Sequence, residues 1–185
     1  MKLAEFLKTM HELMDGARRE TLGSGDRIVF VSDLHLGDRS GSDDFRRNED
    51  LVLGALSSHY RERNYRLVLN GDIEELHKFR LGAVRSAYNH LFDLFRDFAA
   101  GPGLVKIVGN HDLPLLLLPE DEFPRDHALR LDWNANTVLA FHGHQSHKLF
   151  TKYNYISNFI VRYLANPLHL HNVDIPMTSA RRFRA

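Results

Sequence analysis

Short apolar runs that break off at small polar motifs alternate along this chain with longer stretches of helical periodicity. Leu3, Phe6, Leu7, Met10, Leu13 and Met14 recur on one face, which predicts a helix over 2–15. A turn at Gly23-Ser24-Gly25-Asp26 then leads into a buried strand over 27–31 that runs into Ser32-Asp33. Leu51, Val52, Ala55, Leu56 and Tyr60 make a helical stripe over 48–61, and 66–69 is a second strand ending at Asn70-Gly71-Asp72. Leu91, Phe92, Leu94, Phe95 and Phe98 give an amphipathic helix over 87–98; residues 104–108 are a third strand, ending at Gly109-Asn110. Further on, 128–133 and 137–141 read as two strands joined by a turn at Asn134-Ala135-Asn136. Leu149, Tyr153, Ile156, Ile160, Tyr163 and Leu164 share one face of a helix over 148–164, closed by Asn166-Pro167.

Strand, helix, strand, helix, strand is the pattern of βαβ units around a parallel sheet. Ligands of such sheets gather beyond the carboxyl ends of the strands. Ser32-Asp33-Leu34-His35, Asn70-Gly71-Asp72 and Gly109-Asn110-His111-Asp112 all fall there, and Phe141-His142-Gly143-His144 ends a further apolar run.

Composition narrows the chemistry. At 185 residues and 43% hydrophobic, the chain buries one core, most simply as a single domain over 1–185. A net charge of zero speaks against a broad nucleic-acid footprint, so no nucleic-acid partner is expected. Cysteine is absent, which excludes disulfides, thiolate zinc sites and a cysteine nucleophile. With no signal-peptide pattern and no apolar stretch of spanning length, the expected location is the cytoplasm. The aromatic face over 148–164 reads as core rather than as a membrane-surface contact.

The polar motifs offer hard oxygens and imidazoles, the donors that suit divalent metals. Asp33 and His35 alternate along the chain, so both side chains face the same side if the backbone is extended. Alone, such a pair is most often surface loop. Asp72 after a glycine is equally a turn or capping aspartate, and Asn110 after Gly109 a turn residue. His111 beside Asp112 reads either as an oriented acid–base histidine or as a capping pair. His11, His59, His77, His90 and His127 have no ligand partner at useful spacing and read as partly exposed.

Taken jointly, Asp-x-His, Gly-Asp-x-x-Glu (Gly71 to Glu75) and Gly-Asn-His-Asp at successive strand ends resemble the calcineurin-like metallophosphoesterases. The likeness spans Ser32 to about His147. It implies an α/β four-layer sandwich of two mixed β-sheets flanked by helices, around two divalent metal ions. By the same likeness Asp33, His35 and Asp72 hold one ion, while Asp72, Asn110 and His142 hold the other. His111 sits over the phosphate, oriented by Asp112. The implied activity is phosphomonoester or phosphodiester hydrolysis by a metal-activated water, on a small-molecule substrate. Manganese is the favoured metal, with iron or zinc as alternatives.

One part of the pattern is missing. The family closes its site with a Gly-His-x-His near the C-terminus, and here Gly143-His144-Gln145-Ser146-His147 has the wrong spacing. His169 and His171 lack the preceding glycine. Either His142-Gly143-His144 is the closing pair, or the chain is truncated with an incomplete second sheet; the second is preferred, with His144 or His147 as substitute ligands. The Ser-Asp-Leu-His-Leu-Gly-Asp opening is most similar to UDP-diacylglucosamine hydrolases, which cleave a nucleotide-sugar pyrophosphate. His111 stands where such relatives carry arginine. A non-catalytic scaffold of the same fold is the alternative from another class.

Overall fold

A computed structural model describes residues 3–118 and 122–146, so the predicted 148–164 helix, His147, His169 and His171 lie outside the described residues. The elements run α1 (Leu3–Gly16), β1 (Arg18–Thr21), β2 (Ile28–Val31), α2 (Glu49–Gly54), β3 (Arg66–Asn70), α3 (Leu81–Ala87), α4 (Asn89–Ala100), β4 (Leu104–Ile107), β5 (Arg125–Asp126), β6 (Leu129–Trp133) and β7 (Asn136–Ala140). They form a four-stranded sheet, β2-β3-β4-β5, and a three-stranded sheet, β1-β6-β7.

Side-chain alternation along the strands decides the layers. On β3, Leu67 and Leu69 face the helices while Val68 faces the second sheet. Val105 and Ile107 of β4 join Val68, Leu129 and Leu131 between the two sheets. Against the other face of the large sheet pack Leu91, Phe92, Leu94, Phe95 and Phe98 of α4, all buried. The apolar stripe read from the sequence is the stripe that is covered.

The two expected sheets are present and, among the described residues, the four-stranded one is parallel while the smaller one is mixed. The connections account for the difference. Parallel neighbours need long crossovers, whereas Asn134 at φ +52° opens a two-residue turn that makes β6 and β7 a hairpin. Strands β1 and β5 escape sequence reading because Arg18–Thr21 carries no apolar run and Arg125–Asp126 is two residues long.

Two helices depart from the predicted outlines. The 48–61 stripe starts as α2 and widens into a π-helical stretch over Ala55–Arg61, where the Ser57 hydroxyl donates to the Leu53 carbonyl at 2.7 Å. The 87–98 helix is preceded by α3 and separated from it at Tyr88. Tyr88 is fully buried, and its hydroxyl donates to the Asp43 carboxylate at 2.6 Å, tying the helical layer to the loop after the first motif. No helix among the described residues is long and apolar enough to cross a membrane.

Candidate metal centre

The carboxyl ends of β2, β3 and β4 lie side by side because their registers align Val31 with Leu69 and Asn70 with Ile107. The three motifs therefore leave the sheet together. Main-chain bonds continue past the strands: Asp33 N–H donates to the Gly71 carbonyl (3.1 Å), His35 N–H to that of Asp72 (3.0 Å), and Leu36 N–H to that of Ile73 (2.8 Å). The first motif is not extended, contrary to expectation. Asp33 (φ +58°), His35 (φ +51°) and Asp72 (φ +54°) occupy the left-handed region, costly for residues with a Cβ and typical of functional loops.

Asp72 is the focus. Its side chain is 4% exposed, and the Nε2 atoms of three imidazoles face its Oδ2: His142 at 3.1 Å, His35 at 4.0 Å and His111 at 4.0 Å. Asp33 joins from the rim, its Oδ1 3.9 Å from His35 Nε2. His142 arrives from beyond β7, so both sheets contribute, and its Nδ1 is 2.9 Å from the Asn70 carbonyl. The glycines preceding Asp72 and Asn110 are spatial necessities. A Cβ on Gly71 would collide with the His142 ring, and one on Gly109 with the Asp72 carboxylate.

Glu75 was read only as part of the Gly-Asp-x-x-Glu spacing, and it holds two of the imidazoles. Its carboxylate receives Nδ1 of His111 at 2.8 Å and Nδ1 of His35 at 3.2 Å. With Nδ1 held by Glu75, each ring turns Nε2 toward Asp72, the way a hydrogen-bonded carboxylate commonly orients an imidazole. The expectation that Asp112 orients His111 is thereby corrected. Asp112 is fully buried, and its two oxygens accept the main-chain N–H groups of Ile73 (3.0 Å) and Gly109. An aspartate adjacent in sequence to His111 points away from it, whereas Glu75 lies across the loop.

His77 is a second correction. Expected to be partly exposed, it is buried, stacks on His111 at 4.1 Å between ring centroids, and has Nε2 2.9 Å from the Asn110 carbonyl. Burial, reinforced by the charge of His111, pushes its pKa down to about 4, so it is neutral and donates Nε2–H to that carbonyl. It thus fixes the Asn110 peptide. His144 lies beside His142, 5.7 Å between ring centroids; burial lowers its pKa to about 4, and its Nδ1 has no hydrogen-bond partner among the described residues.

The electrostatics favour cations. Burial alone would raise the Asp72 pKa, yet the His142 hydrogen bond and the charge of His111 hold it below the usual value. His142 is raised to about 9, chiefly by Asp72. Burial pulls His35 down, but the Glu75 hydrogen bond and the charges of Glu75, Asp72 and Asp33 outweigh it and leave it raised. A surround that holds protons on imidazoles equally attracts a divalent ion that replaces them. Among the described residues, two groups have ligand atoms within 4.8 Å of one another, Asp33–His35–Asp72 and His35–Glu75–His111.

No curated protein and no solved structure matches the chain, so the likeness to UDP-diacylglucosamine hydrolases gains no support. The family comparison is positive: residues 26–180 match the calcineurin-like phosphoesterases, across every motif that reaches Asp72. The chain belongs to the calcineurin-like phosphoesterase family, whose members generally act on phosphoesters with divalent metal ions.

Proposed function

We propose that this chain is one catalytic domain that hydrolyses small phosphomonoesters or phosphodiesters at a dinuclear metal centre. The observation that carries the reading is the convergence of three imidazole Nε2 atoms on one buried carboxylate oxygen of Asp72. The donor set fits hard or borderline divalent ions, manganese foremost, with iron or zinc as alternatives. Asp33, His35 and Asp72 would hold one ion; Asp72, Asn110 and His142 would hold the other. When bound, the ions supply Lewis acidity toward the phosphoryl oxygens and toward the attacking water.

The protein's own groups do the rest. His111, its Nδ1 held by Glu75, presents Nε2 to the phosphoryl group, where it donates to an equatorial oxygen or gives its proton to the leaving ester oxygen. A water oxygen forms the new bond to phosphorus as the ester bond breaks in line. His77 keeps the Asn110 peptide fixed, and Asp112 holds the two loops from below.

The test is metal content by elemental mass spectrometry together with p-nitrophenyl phosphate hydrolysis in added manganese. About two ions per chain and activity abolished by Asp72→Asn support the reading. A folded protein that binds no metal and hydrolyses nothing is instead a scaffold of this fold. Hydrolysis confined to nucleotide-sugar pyrophosphates would move the assignment to that bond.

A further inference from the structure

A cleft of about 200 Å³ opens beside the centre, lined by His35, Ser42, Asp44, Glu75, Lys78 and Phe79. It shares His35 and Glu75 with the cluster around Asp72, so a phosphoryl group held there can direct its ester substituent into the cleft. Resting on the phosphoesterase reading, the geometry points to a subsite for a small polyhydroxylated leaving group, so that the substrate is the phosphate ester of a pentose-sized or smaller polyol.

Size decides first. Pockets for drug-sized ligands run from about 300 to 1,000 Å³, so this cleft suits a compact group. Charge decides second. Lys78 Nζ lies 3.5 Å from Asp44 Oδ2, so the lining offers an ammonium and a carboxylate side by side rather than a cluster of cations. An ammonium that only donates, a carboxylate that only accepts and a serine hydroxyl that does both are complementary to hydroxyl groups. The Phe79 ring packs against Gly37, where a Cβ would meet it at 2.8 Å, and gives the cleft an apolar wall for the carbon face of a polyol.

The wall is also fixed in advance. Asp43, between Ser42 and Asp44, accepts from Arg39 N–H (2.7 Å), Phe45 N–H (3.0 Å) and the Tyr88 hydroxyl (2.6 Å). Phe45 packs edge-on against Tyr88 at 5.3 Å. Arg39 pairs with Glu49 and lies over the Tyr88 ring at 5.0 Å. A loop held this way loses little freedom on binding.

The test compares kcat/KM for ribose 5-phosphate and for p-nitrophenyl phosphate in the manganese-loaded protein and in Lys78→Met and Ser42→Ala. The wild type is expected to prefer the sugar phosphate. That preference should fall about tenfold in Lys78→Met and severalfold in Ser42→Ala, mainly through KM, the scale of one or two lost hydrogen bonds. Ser42→Ala keeps the test decisive if Lys78→Met fails to fold. Hydrolysis of p-nitrophenyl phosphate with an unchanged preference ratio overturns the subsite and leaves the phosphoesterase reading standing. No hydrolysis of either compound overturns both.

Discussion

Lys106 and Glu74 make an ion pair in the interior, with side chains 3% and 0% exposed. Lys106 projects from β4 toward the helical layer, and Glu74 belongs to the loop between Asp72 and Glu75. Replacing Lys106 by Met keeps the apolar stem and removes the charge. Glu74 is then a buried carboxylate whose paired cation is gone, and its Oε2 already has no hydrogen-bond partner among the described residues. Breaking a buried pair from one side costs about 3–5 kcal/mol, against a total stability of about 5–15 kcal/mol for a domain. For a chain of this length that is a fall in Tm of about 6–20 °C. The double variant Lys106→Met/Glu74→Leu removes both charges and should recover most of the loss, because an apolar replacement of a buried pair is often neutral or stabilising. Thermal unfolding by circular dichroism on the four proteins of the cycle measures this. A single variant within about 1 kcal/mol of wild type, or a double variant no better than the single, would refute the assignment of that pair as interdependent.

Three other outcomes are expected. Gly109→Ala places a Cβ against Asp72 and should lower activity about 100-fold, the scale of a displacement near 1 Å in a catalytic group, with metal content falling in parallel by elemental analysis. Tyr88→Phe removes a donor from buried Asp43 and should cost about 1–3 kcal/mol in urea unfolding while raising KM for a sugar phosphate, since it loosens the 38–47 loop. Burial raises the Asp126 pKa, only partly opposed by Arg18. A carboxyl raised on folding contributes stability below its unfolded pKa and loses it as pH rises through the folded one. Asp126→Asn should therefore improve on wild type at pH 7 relative to pH 4. Equal Tm differences at the two pH values would count against that sign.

The sequence made the parallel sheet and its loaded strand ends legible because buried strands and amphipathic helices each impose a period. That Asp33, His35, Asp72, His111 and His142 come together was readable because glycines and strand ends mark where polar side chains leave the sheet. What escaped reading depends on contacts between loops. Glu75 orients two imidazoles that lie 40 and 36 residues away, and no periodicity encodes that pairing. A clue did exist in the Gly-Asp-x-x-Glu spacing, which sets a second carboxylate three residues past Asp72. His77 was misread for a similar reason: a histidine without a ligand partner nearby in sequence is stacked on His111 across the loops. The family likeness pairs Asp112 with His111, whereas in this chain the Asp112 oxygens turn to the Ile73 and Gly109 N–H groups.

Three left-handed residues in one site raise the question of what holds them. Each such conformation costs about 1–3 kcal/mol, so Asp33, His35 and Asp72 together represent a sizeable share of the stability of a domain. The offset comes from lacing among the loops. Beyond the three main-chain bonds that extend β2 and β3, Glu75 N–H returns to the Leu36 carbonyl at 3.0 Å, and His111 N–H reaches Asp72 Oδ1 at 2.8 Å. Asp112 then ties Ile73 to Gly109, and Leu76 N–H meets the His111 carbonyl at 3.2 Å. Each loop is bonded to another, so no single loop can relax its backbone without breaking bonds to its neighbours. The strain is a consequence of aiming carboxylates and imidazoles at one point from adjacent parallel strands, and the buried Lys106–Glu74 pair lies under the loop that bears most of that lacing. Loss of the pair should therefore weaken metal retention as well as thermal stability. Competition with a chelator separates the two: a Lys106→Met protein still folded at 25 °C should release its ions at lower chelator concentration than wild type, and equal retention would mean that the loops hold their geometry without the pair.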